Sequence, residues 1–173
     1  MSMVLLGIGS NLEREHHIAT GPDLLAEEFQ LRRASSVYES EALGFEGPAF
    51  LNFTVELEVQ VPVAELARYL RQLEFRLGRP RDATRFSSRT LDLDILTYDE
   101  LVGIQQGIEL PRGEILENAY VLAPLAELVP DSLHPARQES YAALWRALGS
   151  AMQPVTAVAF DHGGWRLPFD RTS

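Results

Sequence analysis

Phe50-Leu51-Asn52-Phe53-Thr54-Val55-Glu56-Leu57-Glu58-Val59-Gln60-Val61 alternates cleanly between two kinds of side chain. Phe53, Val55, Leu57 and Val59 fall on one side of an extended chain; Asn52, Thr54, Glu56 and Glu58 fall on the other. A period of two is the signature of a half-buried strand, because successive side chains point to opposite faces. Pro62 follows at a suitable first helical position. Leu66, Leu70, Leu73 and Leu77 then recur at spacings of three and four, and Gly78 is a C-terminal stop. Strand therefore passes directly into helix. Beyond it, Asp92 to Tyr98 reads as a further strand.

Upstream, Met3 to Gly9 reads as a short buried strand closed by the turn Gly9-Ser10-Asn11. From about Pro22 to Phe29 the spacing is helical, with Leu24, Leu25 and Phe29 on one side. Leu31 to Ser40 fits a polar edge strand, and Gly44 to Pro48 a loop. The order strand, helix, strand, strand, helix, strand predicts an α+β, ferredoxin-like sandwich: an antiparallel sheet with helices on one face. Tyr120–Leu128 and Tyr141–Leu148 read as helices of a C-terminal extension, and Gly163 to Ser173 as a loose or peripheral tail. A single domain is expected over 1–173, with its core at about 3–130 and an addition at about 131–173.

The 173 residues suffice for one domain with a real core. A formal net charge of −10 disfavours a general grip on nucleic acid or an anionic membrane. Absence of Cys removes disulfide frameworks, thiolate zinc sites and Cys nucleophiles. All 15 basic residues are Arg, so there is no P-loop Lys and no Lys Schiff base. The N-terminal apolar run is too short for a signal h-region, and nothing approaches a membrane helix. A cytoplasmic monomer is expected. His16, His17, His134 and His162 lack metal-protease spacing and read as surface residues; Trp145 and Trp165 read as packing.

Charge is concentrated. Residues 68–89 hold seven Arg against two acids, Glu74 and Asp82. Arg68, Arg71 and Arg76 fit a solvated helix face, whereas Arg79, Arg81, Arg85 and Arg89 follow the helix in a loop, where guanidinium groups suit phosphate oxygens. Asp92 and Asp94, two apart on a strand, project from one face while Leu91, Leu93 and Ile95 line the other. Two like charges side by side repel. Two readings remove the repulsion: a divalent cation such as Mg²⁺, with hard oxygen ligands, or neutralisation by Arg85 and Arg89. Arg-rich loop and paired Asp together suggest phosphoryl chemistry.

Arg85-Phe86-Ser87-Ser88-Arg89-Thr90-Leu91-Asp92-Leu93-Asp94-Ile95-Leu96 resembles the signature of the 6-hydroxymethyl-7,8-dihydropterin pyrophosphokinase family. Gly9-Ser10-Asn11-Leu12, Ser35-Ser36-Val37-Tyr38 and Phe50-Leu51-Asn52 are similar to it too, over roughly residues 3–130. The resemblance implies a ferredoxin-like enzyme of folate biosynthesis. It would move pyrophosphate from ATP to a pterin hydroxymethyl group and release AMP. Asp92 and Asp94 would bind two Mg²⁺ ions. Arg79 and Arg81 would belong to a catalytic loop, with Arg85 and Arg89 at the phosphates. Glu74 would lie on the ATP side, and Asn52, Ser40, Leu43, Phe50 and Tyr120 around the pterin. The sequence departs from the family at Pro111-Arg112-Gly113, where Pro-His-Tyr is usual, and at Gly107 and Asn118, where Arg is usual. Arg112 is a candidate replacement on the nucleotide side. The departures also allow a divergent paralogue that binds pterin or nucleotide with little or no transfer.

Overall fold

The computed structural model describes residues 1–78 and 90–172. Its first strand, β1 (Ser2–Ser10), is followed by α1 (Arg14–Glu28), β2 (Gln30–Ala34) and β3 (Val37–Ser40). Then come β4 (Phe50–Val59), α2 (Val63–Arg76) and β5 (Asp92–Tyr98). A hairpin of β6 (Gly103–Gln105) and β7 (Ile108–Leu110) leads to α3 (Ala119–Leu128) and α4 (Tyr141–Leu148). Four short strands follow: β8 (Thr156–Val158), β9 (Phe160–His162), β10 (Trp165–Leu167) and β11 (Phe169–Asp170).

β4 and β1 lie at the centre of the main sheet, whose order is β11-β2-β4-β1-β5, all pairs antiparallel, with β2-β4-β1-β5 as its body. This is the ferredoxin-like arrangement. Register aligns the apolar sets: Val4 faces Leu57, Leu6 faces Val55, and Ile8 faces both Phe53 and Leu93. That face is covered by Ile18 and Leu25 of α1 and by Leu66, Leu70 and Leu73 of α2, all buried. Gly78 has φ +100, the left-handed stop expected after α2.

The opposite face is split. At one end Leu96 packs with Ile115, Leu122, Leu125, Tyr141 and Leu144 in a second core, so α3 and α4 add a helical layer beyond the one expected from sequence. Leu96 shares the face of Asp92 and Asp94, and β5 has a register shift beside it. Leu5 pairs Thr97 while Leu6 pairs Ile95, which leaves Leu96 without an opposite residue on β1. The other end of this face is polar and forms the site described below.

Three expectations are corrected. α1 begins at Arg14, not Pro22, and carries Pro22 inside it; Gly21 and Pro22 are buried, Gly21 on the side of the helix that faces Leu91 and Ile8. The edge strand breaks at Ser35-Ser36, because the Ser35 hydroxyl accepts the Thr54 N–H at 3.0 Å in place of a backbone carbonyl. β2 therefore pairs one half of β4 and β3 the other. The tail is not loose. β8 pairs β3, β11 pairs β2, Phe160 and Leu167 enter the main core, and Trp165 Nε1 donates to Asp23 at 2.8 Å. Among the described residues no helix is long and apolar enough to cross a membrane.

Candidate active site

The polar end of the second face is built on two glycines. Gly9 lies between Asn52 of β4 and Asp92 of β5; Gly7 lies between Thr54 and Asp94. With no side chains on the central strand, the sheet has a trough flanked by an amide on one side and two carboxylates on the other. A Cβ on Gly9 would collide with Asn52 Oδ1, so the Asn52 side chain lies over this glycine. The alternation read from the sequence places these groups correctly. Asp92 and Asp94 share the face of Asn52, and Leu93 and Ile95 point into the core.

The trough is the floor of a cavity of about 420 Å³. Ser40, Leu43, Phe45 and Phe50 line it from the β3–β4 side, and Tyr120 and Val121 from α3. Arg112, Glu114 and Asn118 line it from the segment before α3. Phe45 meets Phe50 edge to face at 6.3 Å. The β3–β4 connection is held from α1's end of the sheet: Asn11 Nδ2 donates to Pro48 O at 3.0 Å, and Arg14 Nη1 to Ala49 O at 3.2 Å.

Electrostatics singles out Asp94. Burial, and then the charge of Asp92, push its carboxyl well above the ordinary carboxylate range, while Arg112 acts in the opposite direction. The guanidinium of Arg112 donates twice to Glu114 Oε1, from Nε at 3.0 Å and Nη2 at 2.6 Å. The same Nη2 lies 3.6 Å from Asp94 Oδ1. Burial alone would lower the pKa of Arg112, but Asp94 and Glu114 raise it instead. Tyr120 is also raised, by burial and by Glu114.

Of the residues expected from sequence, Ser40, Leu43, Phe50, Asn52, Asp92, Asp94, Arg112 and Tyr120 meet in this one cavity. Glu74 does not line it. Its buried carboxylate accepts the Leu93 N–H at 2.8 Å and pairs with Arg71 at 3.0 Å, so its observed contacts anchor the start of β5. Arg79, Arg81, Arg85 and Arg89 lie outside the described residues. Gly107 is in the β6–β7 turn with φ +86. Arg71, Phe45 and Glu114 also line the cavity, without being expected there from sequence. Arg71 was indistinguishable from a solvated helix residue, and Glu114 belongs to no periodic pattern. The surface reading of His17 and His134 is corrected, since both are buried. His17 Nδ1 bonds Leu12 O at 2.7 Å, and His134 Nδ1 accepts two backbone N–H groups.

Flat aromatic walls beside a two-sided amide suit a planar heterocycle with a polar edge. Paired carboxylates present the hard oxygen donors that Mg²⁺ prefers, and their mutual repulsion favours positive charge beside them.

Comparisons with known proteins identify the family. The family model described as 7,8-dihydro-6-hydroxymethylpterin-pyrophosphokinase (HPPK) matches residues 5–130. The 2-amino-4-hydroxy-6-hydroxymethyldihydropteridine pyrophosphokinase of Aquifex aeolicus is 31% identical, over 78% of this chain and 85% of its own. The protein of that name from Bacillus subtilis is 36% identical, over 73% and 78%. The crystal structure of Plasmodium falciparum HPPK-DHPS wild type with pteroate superposes with a TM-score of 0.67 at 12% identity, over 86% of this chain and 42% of that one. This chain spans less than half of the fused protein, and likeness at such identity bears on the fold alone. The chain belongs to the 7,8-dihydro-6-hydroxymethylpterin-pyrophosphokinase family.

Proposed function

We propose that this protein transfers the terminal pyrophosphoryl group of ATP to the hydroxymethyl group of 6-hydroxymethyl-7,8-dihydropterin. The products are AMP and the pterin diphosphate, and the step belongs to folate synthesis. The observation that carries this reading is the joint placement of Asn52 and the pair Asp92 and Asp94 across the Gly7 and Gly9 trough of one cavity.

In this reading the pterin ring sits against Phe50, Leu43 and Tyr120, with Asn52 and Ser40 on its polar edge. Asn52 offers a donor and an acceptor on one side chain, which matches an amide-like heterocycle edge. Asp92 and Asp94 would hold Mg²⁺, two ions in this reading, which when bound neutralises the charge of the ATP phosphates. Arg112 brings the nearest described guanidinium to that pair. Arg79, Arg81, Arg85 and Arg89 are assigned to the nucleotide side through the family resemblance, and the buried Glu74 acts there through Arg71, with which it pairs and which lines the cavity. The described groups around the cavity include no strong base for the alcohol. The chain's contribution is then to orient the pterin hydroxymethyl in line with the phosphate and to keep water out.

Product analysis tests this reading. With ATP, pterin and Mg²⁺, AMP and pterin diphosphate should appear in equal amounts. ADP with a pterin monophosphate would overturn the pyrophosphoryl assignment. Pterin binding with no nucleotide turnover would instead mark a divergent paralogue, the alternative raised by the departures at Gly107, Arg112, Gly113 and Asn118.

A further inference from the structure

Gln153 lies well beyond the stretch matched by the family model, between α4 and β8. It is half-buried and does not line the cavity. Its side-chain oxygen accepts the N–H of Ala119, the first residue of α3, at 2.6 Å. Its side-chain nitrogen donates to Asn118 Oδ1 at 3.0 Å. Asn118 Nδ2 donates in turn to Glu114 Oε2 at 3.3 Å and to the Tyr120 hydroxyl at 3.0 Å. That hydroxyl donates to Glu114 Oε2 at 3.3 Å. Glu114 holds Arg112 through its other oxygen.

The direction of this chain is fixed by its ends. A backbone N–H can only donate, and a carboxylate can only accept. Both amides must therefore point their nitrogens towards Glu114. Asn118 occupies the N-cap position of α3, where an Asn normally turns its side chain back onto its own helix. Here it makes no such cap. Gln153 provides the acceptor that the helix start needs, which leaves the Asn118 amide to face the cavity.

We propose that Gln153 is a positioning residue for the active site. Acting through Asn118, it fixes the Tyr120 wall and the Arg112–Glu114 pair, so the C-terminal segment sets the affinity of a pterin pocket it does not touch. This rests on the pterin reading of the cavity.

Gln153→Glu separates capping from relay. The new carboxylate still accepts the Ala119 N–H, and an acid is favourable at a helix N-terminus. It has no N–H for Asn118. The Asn118 amide then turns over and presents its oxygen to Glu114, which cannot donate. The thermal midpoint should be held or raised. The pterin dissociation constant, read by fluorescence without nucleotide or metal, should rise roughly 3- to 10-fold, as for one lost hydrogen bond. In an Asn118→Ala background the same change should have little further effect, because the route is already cut. Unchanged pterin affinity in Gln153→Glu overturns the proposal, and so does an equal loss in both backgrounds. If the unaltered protein binds no pterin, the functional reading fails instead. The relay is then judged on the ring resonances of Tyr120 in the ligand-free protein, which should shift in Gln153→Glu and whose constancy would overturn it.

Discussion

Asn52 and Gly9 form one unit, since the Asn52 amide occupies the space a Cβ at residue 9 would need. Asn52→Ala leaves a bound heterocycle's polar edge without its two-sided partner. A loss of about 1–3 kcal/mol in pterin affinity is expected, with nucleotide affinity nearly untouched. Gly9→Ala should weaken pterin in the same selective way by displacing the amide. Titration of both ligands checks this, and parallel losses for pterin and nucleotide would indicate a folding defect. Arg112 is governed by a different balance. Its fork on Glu114 and its closeness to Asp94 offset negative charge at the place where the proposed function puts the phosphates of ATP. Arg112→Ala should weaken ATP by about 1–3 kcal/mol and spare pterin, while Arg112→Lys restores only part, lacking the planar fork. ATP affinity unchanged in Arg112→Ala would show that this residue does not replace the family's nucleotide-side groups.

At the scale of elements, the strands were legible because burial there follows a period of two. Asp92–Tyr98 has the bounds expected, and the alternation of β4 named in advance which residues enter the core. The first turns of α1 were not legible, because Pro22 and Gly21 are ordinary signs of a boundary; only packing against β1 shows why the helix runs through them. The edge strand failed for a related reason, since a serine hydroxyl substituting for a backbone acceptor leaves no periodic trace. His134 was misjudged likewise. In the connection between α3 and α4 its Nδ1 accepts the N–H groups of Ala136 at 3.2 Å and Arg137 at 3.0 Å, which a protonated ring cannot do. Burial, then the charge of Arg137, lower its pKa below 6.5. The unfolded chain takes up this proton at higher pH than the folded one. The contribution of His134 is thus present above about pH 6.5 and is lost as pH falls through the lowered value. Urea denaturation should show the unaltered protein losing more stability than His134→Gln between about pH 7.5 and about pH 5.5. Equal slopes would contradict this.

At the scale of the whole molecule, one sheet does two jobs on its two faces. The face under α1 and α2 is apolar along its length and carries the stability. The other is apolar under α3 and α4 but polar over Gly7 and Gly9, and its uncovered part is the cavity. The placement of Asp92 and Asp94 on one face, with Asn52 across the trough from them, was legible in the sequence as a spacing and an alternation. The groups joining them were not. Glu114 and Asn118 meet within one short segment, and Gln153 joins them because the chain after α4 returns to the start of α3.

The central claim is that this uncovered face couples a pterin pocket to a metal-binding carboxylate pair, and Asp94→Asn tests it most directly. The substitution preserves size but removes a charged oxygen ligand, so it should spare the pocket and disable the metal. AMP formation from ATP and pterin should be followed against Mg²⁺ concentration in the unaltered protein and in this variant, with pterin binding measured alongside. The account predicts Mg²⁺-dependent turnover in the unaltered protein and collapsed turnover in Asp94→Asn, with pterin affinity nearly the same in both. Near-normal turnover in Asp94→Asn, at ordinary Mg²⁺ concentrations, would contradict it.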